Sequence, residues 1–240
     1  MRPSIQNAFS HFEKRFKSQH LSVTDSPYEV SVSGYSCPLT KNQQESSPER
    51  CDRRQVGILY ADIVNYSRLT EQDEEGTHYR LVESMKIVEG YVAANNGRVV
   101  HFVGDAILAE FKDADNALNC AINMQLSDRL RNASLSSDRQ ILFRIGVNYG
   151  DVIADQGDIF GNAVNLTARL EKLACCGGIC VSESVRNRLK NHPSFKFVAM
   201  GKQYVKNISE PVEAFWIEFG PERIEHVDYT CVANLSAVTS

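Results

Sequence analysis

The 240-residue chain has no apolar run near the roughly 18 residues that a membrane-spanning helix needs, so helical membrane insertion is not expected. Met1 to Phe16 lacks the apolar core and cleavage site of a secretory leader, which points to a cytoplasmic protein. An excess of basic charge is also missing. Lys and Arg number 26 against 30 Asp and Glu, for a net charge of −4. Such a chain repels a polyanion, and a dedicated nucleic-acid binder is not expected. Nor do the seven cysteines form a disulfide framework, being odd in number and unevenly spaced. The cluster Cys175-Cys176-Gly177-Gly178-Ile179-Cys180 lacks paired C-x-x-C halves and a nearby histidine. It reads as a turn with half-buried thiols, as in a reducing compartment. The phosphate-loop, dinucleotide, zinc-protease and serine-hydrolase signatures are absent.

What is present divides the chain into three stretches. Residues 1–52 read as a polar tail or linker, rich in Ser, Pro and Gln. Within it Phe9, Phe12 and Phe16 recur at helical spacing beside Lys14, Arg15 and Lys17. This allows a short amphipathic helix that docks on a regulatory partner or an anionic membrane surface. Residues 53–220 carry the patterned core, and 221–240 form a second weakly patterned tail.

The core opens with an apolar strand, Val56 to Ala61. A helix from Glu74 to about Asn95 follows, with Leu81, Met85, Val88 and Val92 on one face. Strands at Arg98–Val103 and Ala106–Phe111 flank a Gly104-Asp105 turn, the pattern of a β-hairpin. A second helix spans Ala114 to Arg131. Ile141 to Tyr149 then alternates, placing Phe143, Ile145, Val147 and Tyr149 on one face and Arg144, Gly146 and Asn148 on the other. The β-α-β-β-α-β order is ferredoxin-like, so the fold class is α+β, an antiparallel sheet with two helices on one face. A C-terminal extension is expected: strands near 152–154, 179–181, 195–199, 203–206 and 212–219, and a helix at Asn162–Leu173.

In this topology the first two strands run parallel, and their C-terminal ends share one edge of the sheet. Asp62 ends the first and Asp105 sits in the turn that ends the second. Two carboxylates at one edge repel unless a cation lies between them, and oxygen ligands on a rigid edge suit Mg²⁺. Taken singly, Asp62 also reads as a loop cap and Asp105 as an ordinary turn former. Asn165 and Arg169, four apart on the predicted helix, share a face and make a clamp for a phosphoryl oxygen, or else part of a solvated surface. An RNA-binding sheet of the same topology would carry exposed aromatics and a basic face, neither of which is seen here.

The segments YADIVNYSRL, GRVVHFVGDAILAEF, FRIGVNYGDVI, GDIFGNAVNLTARLE, GGICVS and YVKNISEPVEAFWIEF occur in one order. From about Val56 to Phe219 the chain resembles the catalytic domain of class III nucleotidyl cyclases, bacterial adenylate cyclases above all. The resemblance implies that Asp62, Ile63 and Asp105 hold two Mg²⁺ or Mn²⁺ ions per site. It implies that Asn165 positions the ribose, Arg169 stabilises the transition state, Lys206 holds the triphosphate and Asp158 accepts from the adenine amino group. It further implies a homodimer whose two sites each take metal ligands from one chain and the remaining groups from the other. The reaction would convert ATP to 3′,5′-cyclic AMP and pyrophosphate.

One position departs from the pattern. His101 stands where such adenylate cyclases carry a base-reading lysine. A neutral imidazole still donates one N–H to a ring nitrogen, but it is shorter and mostly uncharged at neutral pH. Asp158, an acceptor, suits adenine or cytosine and repels guanine O6 and uracil O4, so CTP is the alternative substrate. Two other readings compete: a catalytically weak cyclase-like regulatory module, and the diguanylate-cyclase class. The latter needs a G-G-[DE]-E-F turn, whereas the hairpin here reads VGDAI.

Overall fold

A computed structural model describes residues 52–206, 208 and 210–220. The expected N-terminal amphipathic helix and both tails lie outside them.

Eight strands and five helices make up the described chain. The strands are β1 (Asp52–Ile63), β2 (Gly97–Val103), β3 (Ala106–Phe111), β4 (Phe143–Asp155), β5 (Asp158–Phe160), β6 (Ile179–Ser182), β7 (Phe195–Gln203) and β8 (Val212–Phe219). The helices are α1 (Tyr66–Gln72), α2 (Glu74–Ala94), α3 (Ala114–Asn132), α4 (Asn162–Leu173) and α5 (Glu183–Leu189). The sheet order is β2-β3-β1-β4-β6-β8-β7, with β5 paired to β4. Its first four strands are the ferredoxin-like set, each antiparallel to its neighbours within the set, and β4 pairs in parallel with β6 on its other side.

Local chemistry starts the long helices. Asp73 accepts from the Gly76 N–H and Asp113 from the Asn116 N–H, each at 2.9 Å, which satisfies a free donor in the first turn of α2 and α3. The apolar stripe of α2 is buried as its spacing predicts: Leu81, Met85, Val88 and Val92 are all at most 3% exposed. In the hairpin Val103 pairs with Ala106, and Gly104 takes the left-handed conformation, at φ 60°, that the tight turn requires.

The alternation along β1 sorts the two faces. A Cβ at Gly57 would meet the Asp113 carbonyl and Ala117, so this face lies against α3. On the opposite face Val56, Ile58, Val100, Leu108, Val152 and Ile159 form an apolar cluster capped by Tyr60 and by Ala163 and Val164 of α4. Helix α4 lies directly on the sheet: a Cβ at Gly146 would fall 2.4 Å from the Thr167 carbonyl oxygen and 2.5 Å from the Glu171 nitrogen. Only glycine permits this approach.

Two sequence expectations need correction. The strand near 152–154 is not separate, because β4 continues unbroken to Asp155 and pairs with β1 along its length. The strand at 203–206 is the end of β7, which runs through an irregularity between Ala199 and Lys202 and stops at Gln203. Helices α1 and α5, of seven residues each, were not foreseen, being too short to show a period.

Asp128 of α3 is 6% exposed, and its Oδ2 has no hydrogen-bond partner among the described residues. Burial pushes its carboxyl up to about 7, against the pull of Arg131 at 3.6 Å. The folded chain therefore holds this proton more tightly than the unfolded chain. The penalty of the buried charge is complete above that value and is relieved as pH falls towards the ordinary 3.8. Asp128→Asn is expected to raise the thermal midpoint by roughly 2–6 °C at about pH 8 and by about a third of that at about pH 5. Melting curves at the two pH values check this; equal midpoints at the higher one would contradict it.

Candidate active site

Strands β1 and β2 are each antiparallel to the β3 between them, so they run parallel and end at the same edge. That edge brings Asp62, the penultimate residue of β1, within hydrogen-bonding reach of Asp105 in the turn after β2. Burial and then the neighbouring Asp62 push the Asp105 carboxyl up to about 6. Burial acts to raise Asp62 too, but hydrogen bonds from Lys172 and Asp105 and the charge of Arg144 outweigh it and hold Asp62 below the usual carboxylate range. A proton entering the pair goes to Asp105.

Three groups that sequence reasoning missed surround Asp62. Lys172 Nζ donates to its Oδ2 at 2.7 Å, and Arg144 Nη2 donates to the same oxygen at 3.1 Å. Glu171, wholly buried, stands behind both cations, 2.9 Å from Arg144 Nε and 3.1 Å from Lys172 Nζ. Burial raises the Glu171 carboxyl, and the two cations oppose that rise. Lys172 is raised: burial acts to lower it, and the hydrogen bonds to Asp62 and Glu171 prevail. The signal for Arg144 was its place on the polar face of β4. Its pairing opposite Asp62 follows from the register, which the sequence does not display.

The carboxylate pair fits a divalent cation. Two acidic groups crowd at a half-buried edge, and a cation between them removes the repulsion that lifts Asp105. The Ile63 side chain is 2% exposed in the core, which leaves only its main-chain carbonyl as a donor atom. Among the described residues no cluster of three or more His, Cys, Asp or Glu could hold a metal, and the third carboxylate nearby, Glu171, is engaged by Arg144 and Lys172.

A second group of candidates lies apart from this edge. His101 Nδ1 of β2 is 3.4 Å from Asp158 Oδ1 of β5, with the two side chains 29% and 36% exposed. Asp158 Oδ1 also accepts from the Ile159 N–H at 2.7 Å. On α4, Thr167 and Glu171 face Gly146 and are fully buried. Arg169 is two residues from each, about 200° around the helix, so it projects away from the sheet, with exposed Asn165 one turn before it. Asn165 lines a cavity of 700 Å³ with Asn148, Tyr149, Ser184, Lys202 and Glu213, which neither Asp62 nor Asp105 reaches. Lys206 is exposed in the turn after β7. Neither the Arg169 nor the Lys206 side chain has a hydrogen bond or ion pair among the described residues. One chain thus presents a carboxylate edge and, facing elsewhere, polar groups suited to a nucleotide.

Residues 49–219 match the family described as the adenylate and guanylate cyclase catalytic domain. A Rhizobium meliloti protein named "Putative adenylate cyclase 3" is 41% identical over 165 residues, 68% of this chain and 28% of its own length. An adenylate cyclase of Streptomyces coelicolor is 32% identical over 61% of this chain and 37% of its own. The chain therefore spans well under half the length of these relatives. The crystal structure of an adenylate/guanylate cyclase/hydrolase from Silicibacter pomeroyi superposes with a TM-score of 0.66 at 36% identity, over 72% of this chain and 100% of that one. The carboxylate edge, the α+β fold and these matches agree: the chain belongs to the class III nucleotidyl cyclase family.

Proposed function

We propose that the chain is an adenylate cyclase that converts ATP to 3′,5′-cyclic AMP and pyrophosphate at two sites shared between identical chains. The observation that carries this reading is the separation of the two half-sites. Asp62 and Asp105 converge at one edge, while Asn165 and Arg169 project away from it, so a second copy supplies the missing half of each site.

Asp62, Asp105 and the Ile63 carbonyl would hold two Mg²⁺ or Mn²⁺ ions. Bound there, the ions would acidify the ribose 3′-hydroxyl and neutralise the triphosphate. The chain's own groups do the rest. Asn165 orients the ribose for in-line attack on the α-phosphorus. Arg169 meets the charge that builds on the phosphoryl oxygens, and Lys206 holds the departing pyrophosphate. Both cations are free of partners among the described residues, as groups awaiting an anion should be.

His101 and Asp158 read the base. Asp158 Oδ1 is engaged by the Ile159 N–H, which leaves Oδ2 to accept from an exocyclic amino group. Adenine offers that amino group. Cytosine offers one too, which makes CTP the second reading. Guanine and uracil present an acceptor oxygen instead, and two acceptors repel.

Purified protein is incubated with ATP, CTP, GTP and UTP, with Mg²⁺ and then Mn²⁺, and the products are identified by mass. Cyclic AMP is expected as the main product, with kcat/KM for GTP and UTP at least about 100-fold lower. Cyclic GMP as the main product would overturn the base assignment. No product from any nucleotide would favour a regulatory cyclase-like module.

A further inference from the structure

We propose that Lys172 is a tethered counter-ion that competes with the divalent cation for Asp62 and so sets the affinity of the metal edge. The inference rests on the reading that Asp62 binds such a cation. Its Nζ lies 2.7 Å from Asp62 Oδ2, an oxygen that a metal ligated by this carboxylate would use. Arg144 donates to the same oxygen at 3.1 Å.

The two cations are held differently. The Arg144 side chain is 26% exposed, its Nε against wholly buried Glu171 at 2.9 Å. It is fixed by the sheet on one side and by α4 on the other. Lys172 sits in the last turn of α4 with a side chain 53% exposed, and its stem reaches the edge from solvent. An ammonium on a flexible four-carbon stem can leave its partner at little cost, whereas a planar guanidinium held at two atoms cannot. Glu171 Oε2 lies 3.1 Å from the same Nζ, which gives the displaced ammonium a second carboxylate to stay near.

The charge balance changes when the ion binds. Without a divalent ion, Asp62 and Glu171 are matched by Arg144 and Lys172. When the divalent ion arrives, its charge falls on Asp62 and Asp105, and Lys172 becomes surplus beside a cation. Like charges at this separation repel, so the ion binds only as the ammonium withdraws. Lys172 thereby holds Asp62 in place before loading and lowers metal affinity.

The test uses the full chain with Mn²⁺ alone, free Mn²⁺ being followed by its electron paramagnetic resonance signal. Lys172→Met keeps the length of the side chain and removes the charge. It is expected to lower the Mn²⁺ Kd about tenfold relative to wild type, a figure that allows for the solvent screening of a half-exposed pair. Lys172→Arg is expected to keep Kd within about threefold of wild type or raise it, since the charge remains. A second readout is the thermal midpoint. In chelator the methionine variant should melt lower than wild type, and saturating Mn²⁺ should raise its midpoint by the larger amount. Unchanged or weaker Mn²⁺ binding by the methionine variant, with wild type binding normally, would overturn the competition and leave the cyclase reading standing. Failure of both proteins to bind Mn²⁺ would overturn the metal reading itself.

Discussion

Asp105→Asn is expected to lower cyclase turnover by at least about 10³-fold while leaving the protein folded. The substitution keeps the size of the side chain and its place in the hairpin turn. It removes one of the two charges that would hold a divalent cation at this edge. Without that cation the 3′-hydroxyl stays a poor nucleophile, and the triphosphate lacks the divalent charge that would neutralise it. Stability should move the other way. In the folded chain Asp105 is raised to about 6 by burial and by Asp62. Its ionised form is therefore disfavoured on folding, and a neutral amide escapes that penalty at pH values above this one. Turnover measured with Mg²⁺ beside a melting curve checks both parts. Near-wild-type turnover would remove Asp105 from the metal edge. Lost activity with a collapsed melting curve would show damage to the hairpin instead.

Arg169→Ala is expected to lower turnover by about 10²–10³-fold, the range for removing one charged donor to a transition state. The effect should fall on kcat more than on KM, because the charge that Arg169 meets grows as the phosphoryl group transfers. The side chain is half-buried on the outer face of α4 and has no ion pair among the described residues, so its truncation should change stability little. An equal rise in KM with kcat unchanged would recast Arg169 as a ground-state binding group.

Much of this architecture was legible because it is written in short periods. The stripe of α2, the alternation of β4 and the Gly104-Asp105 turn each predict an element, and their order gives the sheet. Helix α4 lies at Asn162–Leu173, as its pattern indicates. The convergence of Asp62 and Asp105 follows from topology alone, since two parallel strands must end on one side. What stayed hidden depends on register and close approach. That Arg144 stands across from Asp62 is a matter of which residue pairs with which. That Glu171 is wholly buried depends on Gly146 allowing α4 onto the sheet. Lys172 reads as an ordinary basic residue in a last helical turn until its distance to Asp62 is known. The unbroken β4 was masked by Gly150 and Asp151, residues that usually signal a turn.

The shared site is tested most directly by mixing two inactive variants. Asp105→Asn chains lack the metal edge but keep Arg169, and Arg169→Ala chains lack the clamp but keep the edge. If each site draws one half from each chain, a mixed dimer holds one complete site and one doubly defective site. Random exchange makes about half of the dimers mixed, so about a quarter of wild-type activity should return. The measurement is cyclic AMP formation by each variant alone and by the equilibrated mixture. Recovery towards that quarter is the predicted result. A mixture no more active than its components, with subunit exchange verified, would contradict sites built from two chains.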